Sequence, residues 1–182
     1  MSQSATLETD PAAGTEHFDV MVVGAGISGI GSAVHLQEQC PGKSFVILEK
    51  FESFGGTWHM HRYPGIRSDS DLYTFGYRFK PWVGPPIATA AEIKKYMGEV
   101  IEEHDLARHI RYRHRITSAS WSSERNLWTV RVSRLDEGDE ITLTCNFLYM
   151  CQGYYNQDKG YMPEWPGMSS YRGRVIHPME WT

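Results

Sequence analysis

No apolar run in this 182-residue chain approaches the roughly 18 residues that a membrane-spanning helix needs. Charge of one sign is also scarce. The 18 Lys and Arg stand against 22 Asp and Glu, so there is no electrostatic footprint for nucleic acid or an anionic membrane. Cysteine is limited to Cys40, Cys145 and Cys151, with no CxxC pair and no framework spacing. They read as reduced thiols of a cytoplasmic protein. His59-x-His61 is the nearest approach to a metal-binding pattern, and two histidines without a third ligand fall short of a site. Residues 1–16 carry neither a positive n-region nor an apolar h-region, so they are no signal peptide and read as a disordered lead. Internal repeats and low-complexity segments are missing too.

The chain is long enough for one core, or for one domain plus a tail. His17–Val23 (HFDVMVV) is a short β-rich run ended by glycine, which predicts a buried strand. Over Ile27–Gln39, Ile27, Ile30, Val34 and Leu36 fall at roughly helical spacing, and Cys40-Pro41-Gly42 stops the helix. Ser44–Leu48 predicts a second buried strand, which completes a βαβ unit with parallel strands. Phe51–Pro86 is rich in Gly, Pro and aromatics and weakly periodic. Thr89–His104 predicts a helix with Thr89 as N-cap and Glu92 three residues on. Strand-like runs follow at Ile110–Trp121, Leu127–Ser133 and Glu140–Cys145, read as a β-meander, and Asn146–Cys151 reads as a last buried strand. Residues 17–153 thus form the expected domain and 154–182 a connector.

Gly24-Ala25-Gly26-Ile27-Ser28-Gly29 fits GxGxxG, placed after a strand and opening a helix. Gly24 permits the tight turn, Gly26 lets backbone approach a pyrophosphate, and Gly29 allows close packing of strand and helix. Glu49, 20 residues past Gly29, ends the second strand. A carboxylate there accepts both ribose hydroxyls and repels a 2′-phosphate, which favours FAD or NAD over NADP at this turn. The alternative is a Gly-rich turn with no ligand. Gly55-Gly56-Thr57-Trp58 follows, with room for a bulky ligand and one planar apolar face, or else a turn with a packing Trp. Asp69 and Asp71 can equally cap the segment after them. The run Arg111–Arg115 (RYRHR) reads as strand residues with a solvated basic face.

GAGISG, LEK, GGTW and RYPGIRSDSDLYTFGYRFKPW (Arg62–Trp82), in that order, resemble the class B flavin monooxygenases, the Baeyer–Villiger and flavin-containing enzymes. The resemblance is nearest to the mycobacterial ethionamide-activating type. Tyr171-x-Gly173-xxx-His177-xxx-Trp181 is similar to the Baeyer–Villiger fingerprint, with Tyr171 for its Phe and Thr182 for its final Pro or Asp. The resemblance runs from Phe18 to Trp181. It implies an α/β fold: a Rossmann-like FAD-binding domain, a parallel sheet with helices plus the β-meander, incomplete beside the family's two dinucleotide domains. It also implies FAD and NADPH as cofactors, and oxygenation of a ketone, thioether or thioamide through a flavin peroxide.

By the same resemblance, Ser28 and Glu49 meet the FAD pyrophosphate and ribose, and Gly56, Thr57 and Trp58 lie along the flavin. Arg67, Ser68 and Asp69 sit between flavin and nicotinamide, Phe75 packs by the cofactor, and Thr117 offers backbone to the adenine. His177 orders the linker between domains. No second GxGxxG follows residue 29, so the chain is expected to be an N-terminal portion, inactive alone. Its aromatic tail, Tyr154–Trp181, is then expected to be an apolar surface prone to self-association. The alternative is a non-catalytic FAD-binding module or a gene remnant.

Overall fold

The computed structural model describes residues 14–181. Most of the expected disordered lead lies outside the described residues. At its end Glu16 is placed, with its carboxylate 2.7 and 2.6 Å from the Arg111 guanidinium.

The six strands are β1 (His17–Val23), β2 (Phe45–Leu48), β3 (Ile110–Arg111), β4 (His114–Ser122), β5 (Leu127–Arg134) and β6 (Asp139–Met150). They form one mixed sheet in the order β3-β2-β1-β6-β5-β4. The helices are α1 (Ile27–Gln39), α2 (Thr57–Met60), α3 (Leu72–Phe75) and α4 (Ala90–Glu103). β1 pairs in parallel with β2 on one side and β6 on the other. β2 is buried along its whole length, which is why it reads as an unbroken apolar run.

Alternation along β1 and β2 sorts the core into two clusters. Val22 and Ile47 point to the side of α1 and α4, where they meet Ile30, Val34, Ile93 and Met97. Met21, Val46 and Leu48 point the other way, against Val130, Val132, Leu143 and Cys145 of the antiparallel strands. The meander therefore lies over the second face of the parallel strands. α4 starts as its sequence predicts. Thr89 accepts a hydrogen bond from the Glu92 N–H while the Glu92 carboxylate accepts from the Thr89 N–H, a complete capping box.

Three expectations about strands are corrected. The stretch Asn146–Cys151 is not buried, since Phe147, Tyr149 and Met150 are exposed on one side of the sheet or the other. Glu140–Cys145 and Asn146–Cys151 are one strand, β6, whose first half pairs antiparallel with β5 and whose second half pairs parallel with β1. Its partners change along its length without a turn, so no break is written in its sequence. Conversely, Ile110–Trp121 is interrupted at Tyr112-Arg113. Arg113 has φ +56, and β3 and β4 occupy opposite ends of the strand order. Since neighbouring strands lie about 4.8 Å apart, a flat sheet would separate those ends by roughly 24 Å, too far for two residues to cross. The sheet therefore bends until its ends meet beside β2, where the His114 N–H donates to the Glu49 carbonyl at 2.8 Å.

Candidate functional site

The βαβ turn places three glycines where side chains have no room or would obstruct. Gly24 has φ +99, a left-handed conformation that glycine adopts without strain, and its Cα faces the Cys151 carbonyl. A Cβ on Gly29 would run into the Gly24 carbonyl oxygen, so the first turn of α1 can pack directly on the strand end. Gly26 is the N-cap of α1 and supplies no capping side chain. The first N–H groups of α1, with the positive end of the helix dipole, are thereby left to whatever lies in front of them.

The second glycine pair backs onto the first. The Gly55 N–H donates to the Ala25 carbonyl at 3.0 Å, and the Gly56 Cα lies against Gly26. Behind this wall, Tyr77 lies on Gly31 and donates its hydroxyl to the Ile27 carbonyl at 2.6 Å. Burial pushes the Tyr77 pKa up, so it stays a donor.

A cleft of about 720 Å³ opens in front of the two turns. Gly24, Gly26 and Ser28 line it at the α1 end. Glu49 lines it at the β2 end, and Gly56, Thr57 and Trp58 line it along α2. Asp69 and Phe75 close the far side, with Phe75 edge-on to Trp58 at 6.1 Å between ring centres.

Glu49 is 5% exposed and braces the glycine turn. Oε2 accepts from the Ala25 N–H at 2.8 Å and Oε1 from the Phe51 N–H at 2.9 Å, so the carboxylate ties the glycine turn to the end of β2. A carboxylate has about four lone-pair sites, and these bonds use two. The others remain for a ligand in the cleft.

Gly29 lies behind the turn as the packing residue it is expected to be. Three other expected site residues do not line the cleft. Arg67 is exposed and donates to the Gly65 carbonyl at 3.2 Å. Ser68 is buried, and its backbone and hydroxyl pair with Ala88, because this segment zips onto the start of α4. Thr117 is exposed at the β4 irregularity, its hydroxyl directed to Arg131 and Glu140, while its neighbours His114, Arg115 and Ile116 line the cleft.

His177 is the N-cap of a 3₁₀ turn over Pro178–Glu180, accepts from the Met179 N–H at 3.2 Å, and packs on Gly160 of the same connector. Asp71 takes its capping alternative, accepting from the Thr74 N–H at 2.9 Å at the start of α3. His59 and His61 turn to separate partners, Glu52 and the Thr57 carbonyl. Missed in the sequence were Lys50, Arg115 and Asp158, which meet at the β2 end of the cleft. They lie far apart in the chain, and no motif links them.

Residues 22–83 match the family described as NAD(P)-binding Rossmann-like domain. The FAD-containing monooxygenase EthA of Mycolicibacterium smegmatis is 51% identical over 168 residues, which are 92% of this chain and 34% of that protein. Among solved structures, an oxidized steroid monooxygenase bound to NADP superposes with TM-score 0.72 at 33% identity, covering 91% of this chain and 31% of that one. A cyclohexanone monooxygenase from Rhodococcus sp. Phi1 bound to NADP+ gives TM-score 0.72 at 29% identity, over 92% and 31%. The chain thus spans about a third of the length of the proteins it matches. It is a homologue of these flavin monooxygenases and shares their Rossmann-like fold over that span.

Proposed function

From that homology, we propose that the cleft binds FAD and that the chain supplies the flavin-holding part of an NADPH-using monooxygenase. The observation that carries the reading is the α1 N-terminus, with no capping side chain and Gly26 at its head, opening on the same cleft as Glu49. The chain's own groups fit the cofactor. Backbone N–H groups of the first turn of α1 hold a pyrophosphate, and the remaining lone pairs of Glu49 accept the ribose hydroxyls. Thr57, Trp58 and Phe75 flank the flavin and keep water from one of its sides.

Asp69, exposed at the mouth, and Arg67 beside it face an approaching nicotinamide cofactor. Bound FAD supplies the redox chemistry of oxygenation, and this part of the protein binds it, orients it and shields it. The substrate is a small ketone, thioether or thioamide, and the compartment is the cytoplasm. His177 keeps the connector folded on Gly160. We further propose that the chain by itself does not oxygenate, since its described residues hold one glycine-turn βαβ unit. The second reading, a flavin-binding module without catalysis, rests on the same observation.

The test is the visible absorbance of the purified chain, with the heat-released cofactor identified by chromatography. Near-stoichiometric FAD is expected. A colourless protein that takes up no flavin from excess FAD overturns the proposal. NADPH-dependent oxygenation of a ketone or thioether by the bare chain would remove the statement that it is inactive. Self-association through exposed Tyr154, Tyr161 and Trp165 is expected in size-exclusion chromatography, and a monodisperse monomer would exclude it.

A further inference from the structure

An FAD site leaves three charged side chains at the Glu49 end of the cleft without a role. Lys50 follows Glu49 directly, Arg115 lies on β4, and Asp158 comes from the connector. Lys50 Nζ donates to Asp158 Oδ1 at 2.9 Å and the Arg115 guanidinium donates to Oδ2 at 2.8 Å. Lys50 first, then Arg115, hold the Asp158 carboxyl below the usual carboxylate range, so the clamp is charged throughout the neutral region.

The charges at this end cancel: Glu49 and Asp158 against Lys50 and Arg115. Glu49 alone repels a 2′-phosphate on the ribose. Two free cations in the same cleft would offset that repulsion, because opposite charges a few ångströms apart attract strongly at protein surfaces. Asp158 takes both of them.

We propose that Asp158 is a specificity-determining residue, which holds Lys50 and Arg115 and so reserves the sugar end of the cleft for an adenosine diphosphate moiety without a 2′-phosphate. The inference rests on the dinucleotide reading above. It predicts effects of opposite sign at the two partners of the clamp. Removing the carboxylate frees positive charge and admits the phosphorylated ribose. Removing a cation leaves Asp158 less neutralised and excludes that ribose further.

The experiment titrates the full chain and its variants by calorimetry with ADP-ribose and with 2′-phospho-ADP-ribose, which differ only by that phosphate. Wild type is expected to prefer ADP-ribose. Asp158→Asn should move the affinity ratio about tenfold toward the phosphorylated ligand. Asp158→Glu should restore it, and Lys50→Met should move it the other way. An unchanged ratio in Asp158→Asn overturns the proposal while the dinucleotide reading stands. A shift of the same sign in Asp158→Asn and Lys50→Met also overturns it, as that marks general loosening. If wild type binds neither ligand, the dinucleotide reading falls and this inference falls with it.

Discussion

The two walls of the cleft are built by different physics. The glycine-turn wall is held by backbone: Gly24 and Gly55 bond through main-chain groups, and Glu49 fastens that backbone from within the core. The connector wall, residues 154–158, is held by the Asp158 clamp at its end, and its aromatic side chains face solvent, with Tyr154 87% exposed. Backbone packing leaves almost no room for substitution. Exposed ion pairs tolerate it and respond to salt. The lesson is a division of labour, with the shape of the cleft set by the first wall and its charge adjusted by the second.

The largest effect should come from the first wall. Gly29→Val puts a branched side chain into the Gly24 carbonyl, and a loss of about 3 kcal/mol or more is expected from such a clash in a packed site. Urea denaturation reads it, and a near-native midpoint would show that the turn can yield. Glu49→Ala strands the Ala25 and Phe51 N–H groups, a loss of about 2–3 kcal/mol, and Glu49→Gln, which keeps one acceptor, should lose about half of that. Equal losses in the two variants would mean that charge matters more than the two bonds.

A smaller effect is expected with pH. Desolvation lowers the pKa of His59 and of His109 below the ordinary 6.5, with Lys94 adding to the effect at His59 and Arg108 at His109. The folded protein then binds fewer protons than the unfolded chain between 6.5 and those lowered values, so stability falls as pH drops below about 6.5. The carboxylates Glu16, Glu52 and Asp158, with lowered pKa values, lose their contribution only in stronger acid. His59→Gln should flatten the mildly acidic part of the stability profile, and an unaltered slope would assign it elsewhere. The smallest effect belongs to the second wall's continuation. Trp165→Ser, at a side chain 60% exposed, should change stability by no more than about 0.5 kcal/mol. A larger loss would show the connector to be packed as firmly as the glycine turns.

Much of the first wall was legible. β1 and α1 begin and end where the apolar pattern, Gly24–Gly26 and Cys40-Pro41-Gly42 say, and Thr89 with Glu92 marks the start of α4. These signals are local, each decided within a few residues. The second wall was not legible in the same way. Arg115 reads as one more residue of a basic strand face, and Asp158 as a polar residue in a loop. Thr117 stands at one irregularity in β4, where its hydroxyl turns to Arg131 and Glu140 while its neighbours turn to the cleft.

The sequence by itself determined the βαβ unit, its glycine turn and its capping, since hydrophobic period, backbone freedom and short-range hydrogen bonds are written in consecutive residues. Only the tertiary structure decided that β6 serves two sheet halves and that the sheet bends to bring β4 beside Glu49. It alone also brought Lys50, Arg115 and Asp158 to one point. The physical reason is that strand pairing and ion pairing join residues with no fixed separation along the chain, so their partners exist only once the sheet has formed.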